Sequence, residues 1–327
     1  MTEAFNILAV AQRGRLQYEA LLLAASLRLS NPGFSGELYL AEPQPGPRWG
    51  GEDTRIEPEV RALLTDLGAE ILPIETQVFG AGYPHGNKIE AIAHLPEAPF
   101  LFLDTDTLVH GDLSTLMFDF DKPSASMRRE NTWPQSELYG PDLTQTWKSL
   151  YDRFGLDFES SLDHNWPENY WQHYLYFNAG WFFHRSPRAF GSRFLDWARE
   201  VRDSPPAELI CQPLYPWLDQ IVLPLVIHSF GGGRPGADLA GLDGEVTCHY
   251  RLLPMLYARE SDAVVAMLER AAGMPAVKKL LKAHGPAKKM IYQGKGQLAR
   301  AMFDRANLPR KEQMIRNRLK RDGLWAR

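Results

Sequence analysis

Apolar and polar residues follow one another in blocks along the first hundred positions. Ile7 to Ala11 is a short unbroken apolar run, closed by Gln12-Arg13-Gly14-Arg15. A run of this length between polar and glycine residues reads as a buried strand. Tyr18 to Ser30 is rich in Leu and Ala and reads as a helix, stopped by Asn31-Pro32-Gly33. Glu37 to Ala41 is a second strand, followed by a Pro/Gly loop from Glu42 to Gly51. Glu59 to Leu67 is helical and ends at Gly68, and Glu70 to Ile74 is a third strand. Asn87 to Leu95 is a short helix, and Phe100 to Leu103 is the fourth strand. This alternation predicts an α/β fold with a mostly parallel, doubly wound sheet and helices on both faces. No internal repeat or low-complexity block interrupts it.

Composition narrows the class. The chain has 327 residues, 44% hydrophobic and 23% charged, enough for one large domain or two smaller ones with a sizeable core. No apolar run reaches the ~18 residues of a membrane span. The N-terminus lacks the basic, apolar and small-residue succession of a signal peptide, so a cytoplasmic location is expected. The two cysteines, Cys211 and Cys248, form neither a disulfide framework nor a zinc spacing and read as structural thiols. The net charge of −4 hides an asymmetry. From Ala276 onward there are fifteen Lys or Arg and three Asp or Glu, a net +12 that leaves −16 on the rest. Basic residues in that tail are interleaved with apolar ones such as Leu280, Leu281, Phe303, Leu319 and Trp325. Such segments read as helices, on an anionic membrane surface or on the acidic body. Stacking aromatics and nucleic-acid motifs are sparse there, which disfavours nucleic acid. The expected division is 1–255, an α/β body, and 256–327, a basic helical extension.

Candidate chemistry changes the picture at Phe100 to Leu113, FLFLDTDTLVHGDL. Two carboxylates, Asp104 and Asp106, stand two residues apart just past the fourth strand. Extended backbone points both to the same side. In an open α/β sheet, ligands sit outside the carboxyl ends of strands. Like charges so placed repel unless a cation lies between them, and a hard divalent ion with oxygen ligands, Mg²⁺ or Mn²⁺, fits. A solvated turn with two Asp is the plain alternative.

The stretch Phe-Leu-Phe-Leu-Asp-Thr-Asp-Thr-Leu-Val resembles the DXD segment of GT-A-fold glycosyltransferases, especially the glycogenin-like and bacterial lipopolysaccharide galactosyltransferases of glycosyltransferase family 8. Other landmarks occur in the same order. Asn87-Lys88-Ile89-Glu90-Ala91 is similar to a Lys-containing helix before the motif. Phe177-Asn178-Ala179-Gly180-Trp181-Phe182-Phe183 resembles an Asn-Ala-Gly strand. Leu218-Asp219-Gln220-Ile221 resembles an Asp-Gln helix start, and Cys248-His249-Tyr250 resembles a late metal-site His. The resemblance spans roughly Asn6 to Tyr250. It departs from the family at Trp181 and His184, where aliphatics are usual, and in lacking a Gly-rich Lys segment near His249.

The resemblance implies a GT-A fold and sugar transfer from a nucleotide-sugar donor, most naturally a UDP-sugar, to a glycan, lipid-linked or other acceptor. It implies Mn²⁺ or Mg²⁺ held by Asp106 and His249, with Asp104 on metal, ribose or both, where the metal would act as a Lewis acid on the departing diphosphate. Lys88 would add positive charge at the diphosphate. Asn178 and Gly180 would let donor approach the backbone, a β-bulge being the alternative. Asp219 and Gln220 would contact the sugar and the acceptor proton, against the plainer reading of Asp219 as an N-cap. The aromatic-rich segment around 128–176 reads as an acceptor-side insertion, or simply as packing. Gly231 to Gly236 reads as a mobile loop or a connector. Two other functions stay open: a nucleotidyltransferase, for which Gln12-Arg13-Gly14-Arg15 is a poor phosphate loop, and a non-catalytic nucleotide-sugar or glycan binder.

Overall fold

The computed structural model describes residues 3–128, 132–135 and 139–326. Residues 129–131 and 136–138 of the aromatic-rich segment, and Arg327 of the tail, lie outside the described residues. The first elements are β1 (Asn6–Val10), α1 (Arg15–Ser30), β2 (Leu38–Pro43), α2 (Pro58–Asp66), β3 (Ala69–Ile74), α3 (Gly86–Ile92), β4 (Phe100–Leu103) and β5 (Thr107–Val109). Those through β4 match the expected succession to within three residues, and β5 is an additional strand. The largest shifts are at α1, which starts three residues before Tyr18, and at α3, which ends three residues before Leu95. Gly14, at φ 92°, turns the chain from β1 straight into that helix.

A five-stranded sheet runs β3-β2-β1-β4-β6, with β6 at Trp181–His184. The first four strands are parallel and β6 is antiparallel to β4. The chain winds outward from β1 through β2 to β3, then returns to β4 on the other side of β1. The carboxyl ends of β1 and β4 therefore flank the point where strand order reverses, where such sheets bind ligands. The Thr105 hydroxyl donates to the Val10 carbonyl and ties the two ends together.

Strand periodicity splits the core in two. Ile7 and Ala9 of β1, with Leu101 and Leu103 of β4, face α1 and the C-terminal helices. Leu8 and Val10, with Phe100 and Phe102, face α3, α5 (Pro187–Asp203) and α6 (Leu218–Ser229). The second face is aromatic. Phe102 stacks on Phe182 at 4.7 Å and Phe182 on Phe190 at 5.6 Å. Trp133, Trp147, Tyr151, Tyr174 and Tyr176 of the aromatic segment are also buried there, with α4 (Leu143–Arg153) started by an Asp142/Gln145 capping box. Packing thus uses most of these rings, while Tyr139, Trp166 and Tyr170 are exposed.

The Gly231 to Gly236 segment is tied down on both sides. Gly233 donates to the Pro123 carbonyl at 3.1 Å and accepts from Ser124. Arg234 donates to the carbonyls of Ser161, Gln172 and His173. A β-carbon at Gly232 would stand 2.0 Å from the Pro123 carbonyl oxygen.

After β7 (Thr247–His249) come α7 (Leu253–Arg259), α8 (Asp262–Gly273), α9 (Pro275–Leu281), α10 (Gly285–Ala287) leading into a π turn at Lys288–Tyr292, α11 (Lys295–Ala301) and α12 (Glu312–Arg321). The expected boundary at 255/256 falls inside α7. Val277, Leu281, Met290, Phe303, Ile315, Leu319 and Leu324 belong to the same apolar cluster as α1 and β1. Each buried aliphatic or aromatic side chain of this kind contributes about 1.5–3 kcal/mol. The apolar stripe of the tail therefore covers the body, leaving Lys278, Lys279, Lys282, Lys288 and Lys289 at the surface. Among the described residues, no helix is long and apolar enough to cross a membrane.

Candidate active site

β5 and β7 pair as a two-stranded antiparallel sheet, with Thr107 opposite His249. That register carries the late histidine back to the residues just past β4, and the Tyr250 amide donates to the Asp106 carbonyl at 3.0 Å. His249 Nε2 lies 3.0 Å from an Asp106 carboxylate oxygen and 3.7 Å from one of Asp104. One ligand atom from each of the three residues lies within 4.8 Å of the other two. Two carboxylate oxygens and an imidazole nitrogen converging so closely can hold a divalent cation.

The electrostatics belong to the same trio. Burial alone would raise the Asp106 carboxyl, but the neighbouring His249 and then Arg15 outweigh it and hold it at about 2. Burial likewise pulls the His249 imidazole down, and the charges of Asp106 and Asp104 reverse this and raise it above its ordinary range. Without a metal the site favours an ionised Asp106 beside a protonated His249.

Gly180 is what admits the histidine. A β-carbon there would stand 2.5 Å from His249 Nδ1 and 2.8 Å from Asn178 Oδ1. Asn178, Ala179 and Gly180 do not lie within a strand, as their apolar surroundings suggest; β6 begins only at Trp181. They form a tight turn with Ala179 at φ 57°. Both ends of the Asn178 amide hold that turn, accepting from the Gly180 amide at 2.7 Å and donating to the Arg128 carbonyl. The Gly180 carbonyl in turn accepts from the Asp104 amide at 2.8 Å, fixing the backbone of the acidic pair.

Lys88 is buried, on the inner face of α3. Its ammonium donates to Asp104 at 2.8 Å and to the Ala179 carbonyl at 3.1 Å, and it lies 3.3 Å from Asp219. Three acceptors take up its three donors. Burial would depress its pKa, yet the two carboxylates raise it. Asp219 is buried in the first turn of α6, one residue past its start, while the N-cap position is Trp217. Its carboxylate accepts from the Tyr83 hydroxyl at 2.9 Å, and the same hydroxyl accepts from the Asp219 amide. The N-cap alternative thus does not describe Asp219. Gln220 accepts a hydrogen bond from the Tyr176 hydroxyl at 2.5 Å.

Two cavities meet at Asp104 and Lys88. One of about 210 Å³ is lined by His85, Asn178, Trp217, Asp219, Gln220, His249 and Arg251. The other, about 370 Å³, lies over the switch point between β1 and β4 and is lined by Gln12, Arg13, Arg15, Pro84, Phe102 and Asp106. The structure thus gathers every residue singled out in the sequence, from Lys88 to His249, at one end of the sheet. It also adds residues that sequence reasoning missed. Arg15 lies 3.7 Å from Asp106 and donates to Glu19 at 2.8 Å. Glu19 is buried, and burial, reinforced by Asp106, pushes its carboxyl well above the usual range.

A family model for the Rhodobacterales glycosyltransferase domain matches residues 7–231. The chain belongs to that family. Its members are defined as glycosyltransferases, so this glycosyltransferase is a sugar-transferring enzyme, in agreement with the sequence resemblance. His249 lies beyond the matched segment. No curated protein matches the chain. Among solved structures, the galactosyltransferase LgtC in complex with donor and acceptor sugar analogues is 14% identical, covering 83% of this chain and 96% of that one, with a TM-score of 0.47. An active-site mutant of LgtC is 15% identical over 71% and 73% of the two chains, TM-score 0.41. The glycosyltransferase GlyE of Streptococcus pneumoniae TIGR4 is 15% identical over 72% of this chain and 46% of its own, TM-score 0.37.

Proposed function

We propose that this glycosyltransferase is metal-dependent and moves a sugar from a nucleotide-sugar donor, a UDP-sugar by preference, to a hydroxyl of a glycan or lipid-linked acceptor. The observation that supports it is the convergence of Asp104, Asp106 and His249 at the switch point of the sheet. The donor set, two hard carboxylates and one imidazole, fits Mn²⁺ or Mg²⁺. When bound, such an ion neutralises charge on the departing diphosphate.

The chain's own residues do the rest. The larger cavity over β1 and β4 takes the nucleoside, with Gln12 and Arg13 at its wall. The smaller one takes the sugar, with Asn178, Asp219 and Gln220 around it. Lys88 keeps Asp104 and Asp219 close despite their like charges. Tyr176 and Tyr83 fix the orientations of Gln220 and Asp219 toward the sugar hydroxyls. In the transfer, the bond between the anomeric carbon and the diphosphate oxygen breaks with its electron pair leaving on the nucleoside diphosphate, a bond to the acceptor oxygen forms, and the acceptor hydroxyl's proton passes to the Asp219 carboxylate.

The test is a melting panel of UDP-, GDP- and dTDP-sugars, each with Mn²⁺ and with chelator. A ligand bound only by the folded state stabilises it by about 2.7 kcal/mol at about a hundred times its Kd. The expected result is a rise in melting temperature for one nucleotide class that requires Mn²⁺. Equal rises with chelator, or none with any donor, contradict the proposal.

A further inference from the structure

Two charged side chains of the short helix α3 are buried, Lys88 and Glu90. Residues two apart on a helix point to nearly opposite sides, about 200° from one another. Lys88 reaches the acidic cluster, and Glu90 reaches the loop that precedes the helix. There its carboxylate accepts from three consecutive backbone amides, Gln77 at 2.7 Å, Val78 at 3.2 Å and Phe79 at 3.0 Å. Loop amides ordinarily find water, and burying a carboxylate is costly unless its oxygens are well engaged. Three charge-assisted bonds from adjacent amides hold the loop in one conformation.

Other contacts seat the same loop. Arg48 donates to the Gln77 carbonyl at 3.0 Å, and Arg202 of α5 to the Val78 carbonyl at 3.2 Å. A β-carbon at Gly86, where α3 begins, would stand 2.3 Å from the Phe79 ring. This conformation delivers the buried Tyr83 to α6. That helix has no side-chain cap, and an amide in its first turn has no carbonyl partner within the helix. The Tyr83 hydroxyl accepts from the Asp219 amide and donates to the Asp219 carboxylate, both at 2.9 Å.

We propose that Glu90 is a positioning residue for sugar transfer: through the 77–85 loop and Tyr83, it sets the Asp219 carboxylate. α3 thereby holds Asp219 twice, directly by the Lys88 ammonium at 3.3 Å and at a distance by the Glu90 carboxylate. His85, near the end of the loop, lines both cavities, so Glu90 also fixes part of their shared wall. The inference rests on the proposed role of Asp219 beside the donor sugar and adds to it a residue that touches neither substrate.

The experiment uses the full chain and reads hydrogen exchange of single amides by NMR in the parent, Glu90→Gln, Tyr83→Phe and the double variant. The Asp219 amide reports on the Tyr83 hydroxyl, and the amides of Val226 and Ile227 report on α6 itself. In Glu90→Gln the Asp219 amide is expected to exchange at least about tenfold faster, with Val226 and Ile227 within about twofold of the parent. Added to Tyr83→Phe, Glu90→Gln is expected to change Asp219 exchange by less than about twofold, because both act through one hydroxyl. Glu90→Asp keeps the charge on a shorter arm; it is expected to fall between, and it carries the test if Glu90→Gln folds poorly. The proposal is overturned if the Asp219 amide is unprotected in the parent or unchanged in Glu90→Gln. It is also overturned if Val226 and Ile227 speed up equally, which marks a merely structural role, or if the two substitutions add in full. UDP release from UDP-glucose and UDP-galactose in Mn²⁺ is followed in parallel. The kcat of Glu90→Gln is expected to fall at least about tenfold with KM within about twofold, since a misplaced reacting group costs rate rather than donor binding. An unchanged kcat alongside faster Asp219 exchange overturns the proposal. A parent that releases UDP from neither sugar contradicts the proposed donor class, and the exchange rates then decide alone whether Glu90 sets Asp219.

Discussion

Asp106→Asn is expected to lower Mn²⁺ affinity at least about 100-fold and to abolish Mn²⁺-dependent donor binding, while the protein stays folded. Losing a hydrogen-bond partner of a metal ligand typically costs about 10–100-fold, so losing a charged direct ligand costs no less. The amide keeps the shape of the carboxylate, and its contacts with His249 and Arg15 are polar rather than apolar packing. Activity with a nucleotide sugar should therefore vanish without loss of secondary structure, as read by circular dichroism alongside Mn²⁺ titration. Unchanged Mn²⁺ binding in the variant would remove Asp106 from the site.

The pH dependence follows from the same pair. In the metal-free protein, Asp106, held at about 2, stabilises the fold above the ordinary carboxylate range, and this contribution is lost as pH falls toward 2. His249, raised by the same contact, stabilises the fold at low pH, and its contribution is lost as pH rises through its folded pKa. A metal needs the neutral imidazole. Mn²⁺ thus competes with the proton, and its affinity should weaken by up to about tenfold per pH unit below the raised His249 value. Metal should accordingly stabilise the protein more at alkaline pH than at acid pH.

Lys88→Ala is expected to destabilise the protein by about 3–5 kcal/mol, because it leaves two carboxylates facing each other without their cation. Lys88 and Asp219 are both nearly inaccessible, with side-chain exposures of 8% and 4%. Asp104, at 25%, keeps some solvent and softens its share of the cost. The double variant Lys88→Met/Asp219→Asn removes the charge imbalance and should recover a large part of the lost stability in urea unfolding. A Lys88→Ala variant as stable as the parent would mean the ammonium is not the brace of the site.

The acidic pair was legible in the sequence because two local signals coincide: a four-residue apolar strand and carboxylates spaced to share one side of extended backbone. The strand-helix order placed that pair at a sheet end without further help. Gly180 was legible as special, but its partner was not. The close neighbour is His249, almost seventy residues on, and only the β5–β7 pairing reveals it. Asp219 looked equally like a helix cap, since propensity cannot see Lys88 and Tyr83 across more than 130 residues. Arg15 reads in the sequence as part of the polar segment that closes the first strand, and Glu19 as an ordinary position near the start of the first helix. The C-terminal helices cover that start, which turns a surface carboxylate into a buried one. The tail shows the same limit from the other side. Its charge excess was plain, whereas the burial of Leu281 against α1, and of Ile315 and Leu319 where α12 packs on α7, depends on long-range packing that no local pattern encodes.

Electron spin-echo spectroscopy of the Mn²⁺-loaded protein tests the metal centre most directly, since it reports nitrogen bound to the ion. One Mn²⁺ per chain should show nitrogen modulation from a single imidazole, and His249→Ala should abolish that modulation while leaving the fold intact. Mn²⁺ bound without nitrogen coupling, or coupling that survives in His249→Ala, would contradict a site built from Asp104, Asp106 and His249.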